Sequence, residues 1–143
     1  MNASEFLSND HQHCDQLWAT VEDSSEATKS QFHSAFDDFS AAMQRHFEFE
    51  EQHLFPLLDG VLGPSGLGPL AVMRSEHEQM RGVLRRMAAA SHSDERQGLL
   101  EQGDTLLMLI QQHNLKEEAI VYPAADARLG DGWPRLQSLW ASV

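Results

Sequence analysis

Apolar residues recur along this chain in steps alternating between three and four, the period of a helix face turned toward a core. The first stripe runs Leu7, His11, Cys14, Trp18, Val21, and the second Phe32, Phe36, Phe39, Met43, His46, Glu50, His53, Leu57. A third gives Leu70, Met73, His77, Met80, Leu84, Met87, and a fourth Leu106, Ile110, His113, Glu117, Ile120. Glycine and proline bunch at Gly60–Pro69 and Gly130–Pro134, with weaker breaks near Asp23–Ser25 and Ser91–Asp94. The pattern predicts helices over about 4–23, 26–59, 69–90 and 94–121. A short closing helix after Pro134 is expected to bury Leu136, Leu139 and Trp140. The chain therefore reads as an all-α, up-down-up-down antiparallel four-helix bundle, one domain over residues 1–143.

Every one of these faces is interrupted by a histidine, and two also by a glutamate. Burying an unpaired polar group costs roughly 2–7 kcal/mol, so a core keeps such groups only when they are hydrogen-bonded or bound to a metal. Four helices each offering an imidazole to one interior point to a shared purpose.

An internal repeat locates it. His46-Phe-Glu-Phe-Glu50-Glu51-Gln-His-Leu54-Phe55-Pro56 and His113-Asn-Leu-Lys-Glu117-Glu118-Ala-Ile-Val121-Tyr122-Pro123 share the pattern H-x-x-x-E-E-x-x-aliphatic-aromatic-Pro, 67 residues apart (113 less 46). A shift of 66 carries Asp10-His11 onto Glu76-His77. Two copies of one helical hairpin, packed with approximate two-fold symmetry, would each supply one histidine from the first helix and a histidine plus a glutamate from the second. At about 100° per residue, four positions bring Glu50 to within ~40° of His46 and one turn along, so both aim at one interior spot, as do His113 and Glu117. Glu51 and Glu118, rotated further, are expected at the solvated rim.

Imidazole nitrogen with carboxylate oxygen suits borderline first-row metals, and a carboxylate can bridge two ions. His11 and His46 are assigned to one ion, His77 and His113 to the other, with Glu50 and Glu117 as bridges. An oxo or hydroxo bridge in the oxidised state would give each ion about five donors, leaving one open position for oxygen, nitric oxide or peroxide. Zinc fits less well, since its sites favour a single four-coordinate ion and the chain has neither an H-E-x-x-H pair nor a cysteine cluster.

Composition changes the picture only by exclusion. With 10 Lys+Arg against 22 Asp+Glu, the formal charge of −12 repels nucleic-acid phosphates and anionic lipid. No apolar stretch approaches the roughly 20 residues that span a bilayer. Residues 1–20 show no secretory pattern and Cys14 has no internal partner, so a cytoplasmic setting is expected. His13 lies about 200° from His11 and faces out. His53 is expected to be hydrogen-bonded beside the site rather than a ligand, His33 and His92 to sit on the surface, and Cys14 to act as a small buried hydrophobe. Arg81 is expected to ion-pair with Glu76, Glu78 or Glu118 at the surface, and Tyr122 to be core or a hydrogen-bonding neighbour of the site.

These residues resemble the hemerythrin-like, or HHE cation-binding, domain family over nearly the whole chain. The resemblance rests on Asp10-His11-x-x-Cys14-Asp15, HFEFEEQHLFP, Glu76-His77 and HNLKEEAIVYP. It implies a non-haem di-iron centre. The oxygen-carrying branch has a fifth histidine and a bridging aspartate where this chain has Arg81 and Glu118. Four histidines with two H-x-x-x-E glutamates look more like the di-iron domains linked to iron–sulfur cluster repair and to nitric oxide or peroxide responses. The resemblance thus implies a protein that binds, senses or buffers oxygen, nitric oxide or peroxide, or alternatively an enzyme of detoxification or cluster repair, with its redox partner left open.

Overall fold

Asn2 and Thr28 set where the first two helices begin. Each side chain accepts the backbone N–H three residues on, while Glu5 and Gln31 reach back to the cap N–H, reciprocal caps that satisfy otherwise orphaned donors. In the computed structural model, which describes residues 1–64 and 66–143, α1 spans Ala3–Asp23 and α2 spans Lys29–Phe49. The Thr28 cap is why the second helix starts at Lys29 and not near 26. After a π turn at Glu50–Leu54, the short α3 covers Phe55–Leu58. Then come α4 (Pro69–His92) and α5 (Arg96–Lys116), joined by a tight turn in which Asp94 takes a left-handed φ of 55°. Ser65, within the expected loop Gly60–Pro69, lies outside the described residues.

The fourth helix does not stop at 121. A second π turn, Glu117–Val121, leads into α6 (Tyr122–Leu129), and after a 3-10 turn at Gly130–Gly132 comes α7 (Trp133–Gln137). Both π turns directly precede an aromatic-Pro pair. Proline lacks an N–H and its ring crowds the carbonyl four residues back. Widening the turn relieves the crowding: the N–H groups of Phe55 and Tyr122 bond five residues back, to the carbonyls of Glu50 and Glu117.

Each π turn inserts one residue and slips the buried face by one. Leu54 and Leu58 are therefore buried where His53 and Leu57 were expected, and Leu57 is exposed. In the other copy Val121 is buried and Ile120 exposed. The closing helix is likewise shifted: Trp133 and Leu136 are its buried residues, Trp140 is half-buried and Leu139 exposed.

Two apolar clusters result. One, built on Trp18, Phe32, Phe36, Phe39 and Met87, fills the end of the bundle near the α1–α2 and α4–α5 turns. The other gathers Leu7, Phe49, Phe55, Tyr122 and Trp133 under the C-terminal cap. The charged groups lie between them, in a belt cut off from water at both ends. Among the described residues no helix is long and apolar enough to cross a membrane.

Candidate metal centre

His11, His46, Glu50, His77, His113 and Glu117 all meet in this belt, each less than a tenth exposed. α1 supplies His11, α2 His46, α4 His77 and α5 His113. The two glutamates are the first residues of the two π turns, so the widened backbone sits where the carboxylates enter.

Each of the four imidazoles gives its Nδ1 to a carboxylate further out. Nδ1 of His46 lies 2.7 Å from Asp10, of His77 2.9 Å from Glu51, of His113 2.8 Å from Glu76, and of His11 3.1 Å from Glu118. An ionised carboxylate only accepts, so Nδ1 must carry the proton and every Nε2 turns inward. Outer carboxylates that fix imidazole orientation in this way are a regular feature of histidine metal sites. Glu51 and Glu118 are thus at the rim, as expected, but bonded to the histidines. The pairing Asp10-His11 and Glu76-His77 in the repeat carried this signal: each acid serves the histidine of the neighbouring helix.

Inside, the Nε2 atoms and glutamate oxygens crowd one another. Nε2 of His77 and His113 are 3.1 Å apart. Glu117 spans the belt, Oε1 3.1 Å from His11 Nε2 and Oε2 3.2 Å from His113 Nε2. Glu50 Oε1 lies 3.4 Å from His46 Nε2 and 3.3 Å from His77 Nε2. Yet Glu50 Oε1 and Glu117 Oε2, both buried, make no hydrogen bond among the described residues. Buried orphan oxygens among converging nitrogens match the needs of a cation. Two overlapping groups can each hold one: Glu50, His77, His113 and Glu117, and His11, His46 and Glu117, with donor atoms inside 4.8 Å of one another.

Without a cation the groups share protons. Burial opposes charging His46, but the Glu50 carboxylate and the Asp10 bond raise its pKa well above the imidazole range. His77 is pushed up to about 9, burial again opposing and Glu50 and Glu51 prevailing; against the same burial, Glu117 raises His113. Burial disfavours the Glu50 carboxylate, yet His46 beside it holds its pKa well below the ordinary range.

Tyr122 stands closer to the chemistry than its place in the sequence implies. Fully buried, its hydroxyl donates to Glu50 Oε2 at 2.7 Å and lies 3.0–3.1 Å from His11 Nε2, His46 Nε2 and Glu117 Oε1. Burial, and then the Glu117 and Glu50 charges, raise the phenol pKa well above its usual value, so it remains a donor. The repeat partner of Tyr122 is Phe55, whose ring stacks on His77 at 5.7 Å. Phe47, off the predicted stripe, stacks on the same imidazole at 4.3 Å.

Outside the belt, Arg81 pairs with Glu51 and Glu78, and not with Glu76 or Glu118. His53 is half-buried against Phe49. His33 is not a free surface residue, since it is half-buried between Ser91 and Asp37, whereas His92 and His13 are exposed. Cys14 is buried; burial and the nearby Asp10 and Asp15 charges drive its thiol pKa far up.

Beside the belt lies a small chamber against His11, His46 and His113, lined by Cys14, Met43 and Met80. The space open to the centre of a water-sized molecule is about 10 Å³, near the minimum for holding one water. The larger surface hollows, such as that bounded by His13, Asp38, Arg45 and Glu48, reach none of the six inward residues, although one of them touches Asp10.

Comparison with protein families matches residues 2–125 to the hemerythrin HHE cation binding domain. No curated protein and no solved structure matches the chain.

Proposed function

Because the chain belongs to the hemerythrin HHE cation-binding domain family, we propose that its belt holds two iron ions and that the protein binds, senses or buffers oxygen, nitric oxide or peroxide. His11 and His46 serve one ion, His77 and His113 the other, and Glu50 and Glu117 serve both. The observation that carries this reading is the span of Glu117, with one oxygen at His11 and the other at His113. A bound pair would supply exchangeable coordination positions and one-electron chemistry. The protein's part is to fix four Nε2 atoms inward and to exclude water with apolar clusters on both sides. The chamber beside His11, His46 and His113 has room for about one water-sized molecule. A reducing cytoplasm agrees with the single free thiol.

The test is ligand addition to iron-loaded protein. Azide added to the oxidised form, or nitric oxide to the reduced form, is expected to change the visible spectrum and to saturate. A spectrum indifferent to both would overturn the reading.

One observation favours turnover as a second reading. Tyr122 places an O–H 2.7 Å from Glu50, inside the ligand set, where it would offer a hydrogen bond to a small molecule held beside the ions. Stopped-flow decay of peroxide or nitric oxide over many cycles would support an enzyme; a single stoichiometric reaction would exclude it.

A further inference from the structure

The repeat relates the two halves of the belt, but their outer charges do not obey it. A shift of 66 carries Arg81 onto Asp15, and a shift of 67 carries Lys116 onto Phe49. Behind His77 and His113 stand Glu51 and Glu76, each held by a cation. Arg81 reaches the two Glu51 oxygens at 2.6 and 2.9 Å and takes Glu78 at 2.6 Å, while Lys116 pairs with Glu76. Behind His11 and His46 stand Glu118 and Asp10, with Asp15 near enough for the charges of His11 and Glu118 to act on it. Among the described residues no lysine or arginine forms an ion pair with Asp10, Asp15 or Glu118. Arg45, whose charge reaches Cys14, lies over the Trp140 ring instead. One half is therefore backed by three carboxylates without a paired cation, the other by three carboxylates and two cations.

We infer that this asymmetry splits the iron pair electronically: the ion at His11 and His46 is held ferric more strongly, and the first electron enters at His77 and His113. The inference rests on the two-iron reading above. Negative charge near an ion favours its higher oxidation state, and a cation opposes it. Arg81 acts twice in the same direction. Its charge raises the potential of the nearer ion, and by drawing on Glu51 it weakens the acceptor of the His77 Nδ1–H, which makes that imidazole a poorer donor. Its side chain is only 16% exposed, so solvent screens it less than Glu118, at 43%. Tyr122 is neutral and leaves the difference in charge intact.

The experiment is a reductive titration of iron-loaded protein with dithionite and mediator dyes, monitored by visible absorption and by the paramagnetic resonance of the one-electron-reduced form. Iron content is measured on the same samples. Wild type should show two separated one-electron steps. Asp15→Asn should raise the lower midpoint and leave the upper nearly unmoved; Arg81→Gln should lower the upper and leave the lower. Each shift is expected to be on the order of tenfold in the reduction equilibrium, about 59 mV for one electron, and that of Asp15→Asn should shrink in concentrated salt. Shifts of the opposite sign, or both midpoints moving together, would overturn the inference while the two-iron reading stood. Fewer than two irons per chain would overturn that reading and this inference with it.

Discussion

Replacing Tyr122 with phenylalanine removes one oxygen from the middle of the belt, and its effect should depend on whether cations are bound. In the metal-free protein the hydroxyl is, among the described residues, the one hydrogen-bond donor to Glu50 Oε2, at 2.7 Å, and both side chains are fully buried. A hydrogen bond to a buried charge contributes about 1.5–3 kcal/mol, and its loss leaves that oxygen without a partner. For a domain of this size 1 kcal/mol moves the melting temperature by roughly 2–4 °C, so Tyr122→Phe should lower it by roughly 3–12 °C in chelator. With cations bound, Glu50 has another partner and the loss should fall to about 1 kcal/mol or less. Calorimetric melts of variant and wild type, with chelator and after anaerobic loading with ferrous iron, measure the two differences. An equal drop in both states, or none in chelator, would refute the claim that Tyr122 and the cations satisfy the same carboxylate.

The same geometry sets three further outcomes. Raised imidazole pKa values, about 9 for His77, mean that an incoming cation displaces protons, so affinity should climb between about pH 7 and 9, with buffer-dependent heats in titration calorimetry; pH-independent affinity would count against this. The same shift makes the metal-free protein lose stability as pH rises from about 6.5 through about 9, because the stabilisation is complete only below the unfolded pKa, and melts in chelator across that window test it. Gly103→Ala should destabilise by about 2–3 kcal/mol or more, because its Cβ would fall 2.2 Å from Cη2 and Cζ2 of the buried Trp18; an unchanged denaturation midpoint would contradict that packing.

The stripes of the sequence carry the bundle and the convergence of His11, His46, His77, His113, Glu50 and Glu117, because a period of 3.6 holds without interruption up to each glutamate. It fails just beyond. His53, Leu57 and Ile120 fall one position away from the buried face, since a π turn leaves no mark in composition and displaces only the residues C-terminal to it. The aromatic-Pro ending common to both copies is its one trace. The role of Tyr122 is hidden for the same reason, as the inserted residue is what turns its ring toward Glu50. The Asp10, Glu51, Glu76 and Glu118 contacts cross between helices, and a single helical period cannot report which neighbour a rim carboxylate will meet. Arg81 shows the same limit: its spacing fits Glu78, but Glu51 comes from another helix.

Iron stoichiometry separates a two-ion belt from any other. Protein loaded anaerobically with ferrous iron, desalted and assayed for iron and protein should contain two irons per chain, and Glu117→Ala, which removes the carboxylate shared by both halves, should contain fewer. One iron or none in the wild type, or two retained in the variant, would contradict it.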